Sequence, residues 1–366
     1  MNSLRTGLRG IALAFVTTAA VSIAQAAGNS YQQHNLVSDG TIPADHTDRN
    51  LVNAWGIAFN PTAFVWVTDN KTGVSTLYDG FGNPQSLVVA IPGPDDKTPG
   101  SPTGIVFNSF PNDFRVGTAA SAFIFATEQG VIAAWAPAVD LTHAIRKVTR
   151  PDTVYKGLAL AANGTATFLY AADFRGAKID VYDRNFALVT TPGGFRDTSI
   201  PPGFAPFNIQ NIQGNLYVAY AKQDDAKVDN VPGAGLGFVN VFDPNGNRIR
   251  RIASRGRLNA PWGLALAPAD FGKFSNRLLV GNFGDGTILA FDPHSGEFLG
   301  RLRAVNGKPL QIDGLWALVI GNGVQNQPTS TLFFAAGPDD ENHGLYGTIT
   351  PAPGERDDDH DRDDDD

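Results

Sequence analysis

The chain has 366 residues, a net charge of −8, 42% hydrophobic and 17% charged residues, and no cysteine. The missing thiols exclude disulfides, zinc–thiolate sites and cysteine nucleophiles, so stability must come from a large core or a closed topology. The negative charge is concentrated in Asp357–Asp366, which holds eight Asp against one Arg. The remaining body is near neutrality and offers no electrostatic reason to bind nucleic acid or an anionic membrane.

Residues 1–26 read as a signal peptide. Arg5 and Arg9 precede an apolar run, Ile11–Ala24, that is too short for a comfortable membrane span, and Ala24-Gln25-Ala26 forms an A-x-A cleavage site. The expectation is export to the periplasm or beyond, with no membrane attachment after cleavage. Residues 27–350 form one body, and residues 351–366 an acidic tail too charged to bury anything and expected to be disordered.

Within the body, Tyr31–Ser38 has strand character. Six similar segments follow, beginning at Asn53, Ser101, Tyr155, Ala205, Ala260 and Gly314. Each contains two apolar strands, a short polar turn and a third strand. Aligned on Gly56, Gly104, Gly157, Asn208, Gly263 and Ala317, the units recur at intervals of 48, 53, 51, 55 and 54 residues. Forty glycines and 24 prolines fit many tight turns. A period near fifty residues with several short strands per unit predicts an all-β, six-bladed β-propeller. Tyr31–Ser38 is expected to supply the outer strand of the sixth blade, beside Gly344–Thr350, closing the ring. Pro92–Pro102 and Lys222–Gly235 are its longest polar loops.

The start of a blade's first strand and the end of its second lie on one face, because consecutive strands run antiparallel. The residue before the aligned position is Trp55, Thr103, Lys156, Phe207, Trp262 and Trp316. Blades five, six and one are neighbours in a closed ring, so three tryptophans form an arc around the channel mouth, extended by Phe207 and faced by Lys156 and Thr103. The second-strand ends are Asp69, Thr127, Asp173, Tyr220, Asn282 and Ala336, followed in the first two blades by Asn70 and Glu128. The mouth is thus expected to have an aromatic side and a carboxylate-bearing side. Turn closure by Asp or Asn and inter-blade packing by Trp account for any single position of such columns. Aromatic clusters with nearby polar groups also line small-molecule pockets, which makes Trp55, Lys156, Phe207, Trp262 and Trp316 the candidate ligand-binding set.

No H-E-x-x-H, G-x-S-x-G or P-loop pattern occurs. The histidines show no pairing by spacing. Asp339-Asp340-Glu341-Asn342 is an oxygen-rich loop of a kind that holds calcium or simply stands in solvent.

The blade units resemble NHL-type six-bladed propellers. NLVSDG (Asn35–Gly40), NAWGIAFNP (Asn53–Pro61), NAPWGLALAPADFG (Asn259–Gly272) and LLVGNFGDGTI (Leu278–Ile288) together resemble an uncharacterised family of exported bacterial propellers, some with PEP-CTERM anchors. That resemblance implies the fold over residues 31–350 but no activity. Six-bladed propellers also include calcium-dependent lactonases, and by analogy of fold Asp69, Glu128, Asp173, Asn208 and Asn282 are the candidate ligands of a channel calcium ion. Two readings stand: a propeller that binds a small molecule, glycan or protein at its channel mouth, and a calcium-dependent, lactonase-like hydrolase. Convergence of the five oxygen-bearing side chains on one point discriminates between them.

Overall fold

The computed structural model describes residues 29–95 and 97–353. The segment read as a signal peptide and the tail from residue 354 lie outside the described residues. The described residues form six sheets arranged as the blades of a propeller and a separate two-stranded ribbon, Arg115–Val116 with Ala119–Ala120.

Blade one comprises Ala54–Phe59, Val65–Asp69, Val74–Tyr78 and Val89–Ala90, running outward from the channel. Blade two comprises Pro102–Phe107, Phe123–Thr127, Val131–Trp135 and Ile145–Thr149, and blade three Tyr155–Ala162, Thr167–Asp173, Lys178–Tyr182 and Leu188–Val189. Blade four contains Phe204–Ile212, Asn215–Lys222, Gly237–Phe242 and Arg248–Ser254, and blade five Pro261–Leu266, Leu278–Asn282, Ile288–Phe291 and Phe298–Arg301. The sixth joins the two ends of the body. Leu315–Ile320, Leu332–Ala336 and Leu345–Pro351 are followed by Tyr31–Ser38, which pairs antiparallel with Leu345–Pro351 from Tyr31↔Pro351 to Ser38↔Leu345. His46–Thr47 then adds a short parallel edge.

Both faces of each blade are buried, so successive residues of a strand serve different cores. Leu169 packs toward blade two and Tyr170 toward blade four; Val67 and Trp66 divide in the same way between blades six and two. Strands such as VIAAW and LFFAA are therefore apolar without interruption rather than alternating. Tyr31 fixes the closing strand: its hydroxyl donates to the Phe271 carbonyl at 3.0 Å and accepts the Phe274 amide at 3.0 Å, and its ring packs on both phenylalanines. The closure expected for Tyr31–Ser38 is the one found.

The aligned column has a steric cause. The inner strands crowd around the channel, and a Cβ on Gly56 would sit 2.4 Å from the Thr103 carbonyl oxygen. On Gly104 it would meet the Leu158 amide at 2.6 Å, and on Gly157 the Asn208 side chain at 2.3 Å. In blade four Asn208 replaces glycine and bridges blades, its Nδ2 donating to the Trp262 carbonyl at 2.8 Å. The ladder between first and second strands slips at this column in all six blades. Such bulges bend the strand and re-aim the adjacent side chains.

Candidate functional site

The re-aimed residues converge at one mouth of the channel. Trp55 stacks on Trp316 with ring centroids 3.6 Å apart, and Trp262 meets Trp316 edge-on at 6.0 Å. Phe207 lies 5.6 Å from Trp316, and Phe283 stacks on the same indole at 3.9 Å. Phe174 in turn packs on Phe207 at 5.1 Å. Trp55, Phe207, Trp262 and Trp316 are all buried. The arc expected at an open rim is instead a plug across the channel. Beside it, a narrow passage walled by Gly56, Gly104, Leu158 and Leu264 leaves a cavity of only about 10 Å³, the room of a single water molecule.

Lys156 lies on this plug. It is 1% exposed, and its ammonium stands 5.0 Å from the centroid of a Trp55 ring. A buried ammonium must be compensated. Lys156 Nζ donates to Glu128 Oε1 at 2.5 Å and to Asp229 Oδ1 at 2.8 Å. Burial works against its charge, but the two carboxylates prevail and hold its pKa above the ordinary lysine value. The ammonium therefore stays protonated and is no amine nucleophile. Its carbonyl accepts the Trp262 indole N–H at 3.2 Å.

Polar side chains continue the ring. Asn70 Nδ2 donates to Glu128 Oε2 at 3.0 Å, and Asn53 Nδ2 donates to Glu341 Oε2 at 2.8 Å and to Asn70 Oδ1 at 3.3 Å. Asn53 Oδ1 accepts the Trp316 indole N–H at 2.9 Å. The Trp55 indole N–H is buried with no hydrogen-bond partner among the described residues. Burial, countered by Lys156 and reinforced by Glu128 and Asp229, pushes the Glu341 carboxyl up to about 7.

Glu341 reaches this network through an unusual backbone. Asp339, Asp340 and Glu341 have φ of 55°, 51° and 64°, three consecutive non-glycine residues in the left-handed region. That conformation costs roughly 1–2 kcal/mol per residue. It is held by Asp339 N–H donating to Asp313 Oδ2 at 2.9 Å, by Asn53 N–H donating to the His343 carbonyl at 3.0 Å, and by His343 Nδ1 against Asp39 Oδ2 at 2.7 Å. The oxygen-rich loop is thus a folded turn that delivers one carboxylate to the mouth. The polar Lys222–Gly235 loop delivers another, Asp229.

The five residues expected to ligate calcium share no hydrogen bond with one another among the described residues. Among the described residues no group of three or more His, Cys, Asp or Glu is arranged to hold a metal ion. Asp69 is fully buried beside Thr76 and Tyr78, and burial, with Asp48 nearby, pushes its carboxyl well above the usual carboxylate range. Asp173 closes a turn, accepting from the Gly176 amide at 2.9 Å and the Val154 amide at 3.4 Å. Asn208 is committed to Trp262 and to the Ile209 amide, and Asn282 to the Asn259 amide, the Arg257 carbonyl and Thr287. Of the five, only Glu128 bonds to Lys156. The mouth is lined instead one residue further along the second strands, by Asn70, Glu128, Phe174 and Phe283. Thr103 faces no open mouth either: its hydroxyl donates to the Tyr155 carbonyl at 2.9 Å.

No protein-family model matches the chain. It is 35% identical over 332 residues to the uncharacterised protein L690 of Acanthamoeba polyphaga mimivirus, covering 87% of this chain and 86% of that one. It is 36% identical over 325 residues to the uncharacterised protein R648 of the same virus, covering 86% and 78%. Among solved structures, a Bacteroides thetaiotaomicron protein of unknown function superposes with a TM-score of 0.55 at 12% identity over 87% of this chain and 76% of that one. A streptogramin B lyase superposes at 0.50 and 12% identity, covering 88% and 97%. At that identity the two structures speak for the fold alone. The chain, itself a six-bladed β-propeller, belongs to one family with the mimivirus proteins L690 and R648.

Proposed function

We propose that the protein is an exported binding propeller whose channel mouth, built on Lys156, Glu128, Asp229, Glu341, Asn53 and Asn70, takes a small polar ligand. The carrying observation is the left-handed turn at Asp339–Glu341, where backbone strain is spent on delivering a carboxylate to a buried cation network. Strain of this kind clusters at ligand clamps and active sites. The orphaned Trp55 indole N–H is a further hydrogen-bonding group left for an occupant. With Glu128, Asp229 and Glu341 against one ammonium, the mouth is richest in acceptors above about pH 7, where Glu341 is ionised, so the ligand is one that brings donors: an amine or a polyol. Export rests on the Arg5/Arg9, apolar-run and A-x-A pattern of residues 1–26.

Thermal-shift measurement of the chain against a panel of polyamines, amino acids, sugars and organic acids tests the reading. At least one amine or polyol is expected to raise the melting temperature of the wild type and to leave Glu341→Gln unshifted. A panel in which only acidic compounds stabilise, or in which hits act equally on Glu341→Gln, would overturn it.

A further inference from the structure

Away from the mouth, a groove of about 940 Å³ runs between blades three and four. One wall is Lys178–Val181 with Leu188 and Val189; the other is the connection from Thr190 to Pro206. It exists because the fourth strand of blade three has only two residues, Leu188–Val189, pairing only with Val181 and Tyr182. Blade four has seven residues at the same position. Blade one also has a two-residue outer strand, but there Pro84 and Gln85 extend the edge by a bridge to Tyr78 and a bond to the Leu77 carbonyl.

The uncovered edge has a defined polarity. Asp183 N–H donates outward to the Ala187 carbonyl, so outward-facing backbone groups recur at Val181 and Ile179 by the two-residue alternation of an antiparallel ladder. Val181 is met by Val189. Ile179 has no outward backbone partner among the described residues. The Thr191 hydroxyl on the opposite wall is also buried without a hydrogen-bond partner among those residues.

The charges in the groove are unequal. Asp180 accepts from Lys178 at 2.6 Å and from the Tyr155 hydroxyl at 2.8 Å, and Asp197 is held by Arg251 and Arg248. Arg196 and Lys227 line the same groove, are exposed, and carry no ion pair among the described residues. Leu188, 46% exposed, and Phe204 supply apolar surface beside them.

We propose that this groove binds an extended acidic peptide, which adds to blade three as the missing part of its fourth strand. The peptide's main chain pairs with the Ile179 N–H and C=O. Its side chains alternate, apolar ones packing on Leu188 and Phe204 and carboxylates meeting Arg196 and Lys227. Strand addition takes affinity from main-chain pairing and specificity from alternate side chains.

The test is fluorescence anisotropy of the whole chain with a fluorescein-labelled peptide of about eight residues alternating valine and glutamate. Saturable binding is expected. N-methylation at one set of alternate residues should weaken it about tenfold or more and at the other set should not, because only one set faces the edge. R196E/K227E should lose about tenfold in affinity for the glutamate peptide, and gain affinity for its lysine counterpart, at an unchanged melting temperature. The proposal is overturned by the absence of saturable binding, by equal tolerance of both N-methylated series, or by wild-type protein binding the lysine peptide as tightly. Competition by heparin without any N-methylation effect would identify a charge sink rather than a strand site and would also overturn it.

Discussion

Glu341 shows how much of the mouth depends on single side chains. Its carboxyl lies at about 7 against an ordinary 4.5, chiefly through burial. An acid whose folded value is raised keeps its proton longer in the folded state. Its contribution to stability is therefore fully present below about 4.5 and is lost as pH rises through about 7. Glu341→Gln removes that dependence while keeping an oxygen for Asn53 Nδ2. Melting curves at pH 5 and pH 8 should show a smaller difference for the variant than for the wild type, with the variant the more stable at pH 8. An unchanged difference would mean that Glu341 titrates normally. None of this was visible in the sequence, where Asp339–Asn342 reads only as an oxygen-rich loop. The left-handed turn depends on Asp313, Asn53 and Asp39, remote in the chain and brought together by ring closure. The one-residue step from the strand-end column to the residues over the channel has a local cause. Asp69 and Asp173 end their strands facing into the blades, while Asn70, Glu128, Phe174 and Phe283 come next and turn over the channel.

At the scale of the strand, the glycine column is the feature that the sequence displayed best, and the structure supplies its reason. Inner strands approach too closely for a Cβ, and the bulge beside the aligned position re-aims the preceding residue, toward the mouth at Trp55, Lys156, Phe207, Trp262 and Trp316 but not at Thr103. Gly56→Ala puts a methyl 2.4 Å from the Thr103 carbonyl oxygen, a backbone atom that moves only with its strand. Denaturant unfolding should register a loss of about 3 kcal/mol. A loss below about 1 kcal/mol would show that the neighbouring blade gives way freely. The same column made the aromatic set legible, since Trp55, Phe207, Trp262 and Trp316 do meet. Their burial was not legible, because a list of rim positions does not say that four large rings fill the channel between them. Asp229 and the inter-blade groove were hidden for a different reason: both arise from connections whose path is set by tertiary contacts rather than by the repeat.

For the whole molecule, closure replaces covalent crosslinks. With no cysteine, the ring is completed by pairing of Tyr31–Ser38 with Leu345–Pro351 and by the Tyr31 contacts to Phe271 and Phe274. Deleting residues 31–38 leaves Leu345–Pro351 as an unpaired edge, an invitation to association. The truncated chain is expected to lose its single cooperative unfolding transition and to aggregate on size-exclusion chromatography. A monomer with wild-type cooperativity would show that closure is dispensable.

The central claim is that the Lys156 network serves a ligand rather than the fold, and the double variant Lys156→Met/Glu128→Gln tests it most directly. A buried ion pair replaced by uncharged groups of similar volume is often neutral or stabilising. The variant should melt within about 5 °C of the wild type or above it, and should lose the thermal shift given by any amine or polyol that stabilises the parent. A fall of about 10 °C or more, or a retained ligand shift, would contradict the account and make the network a clamp for the propeller alone.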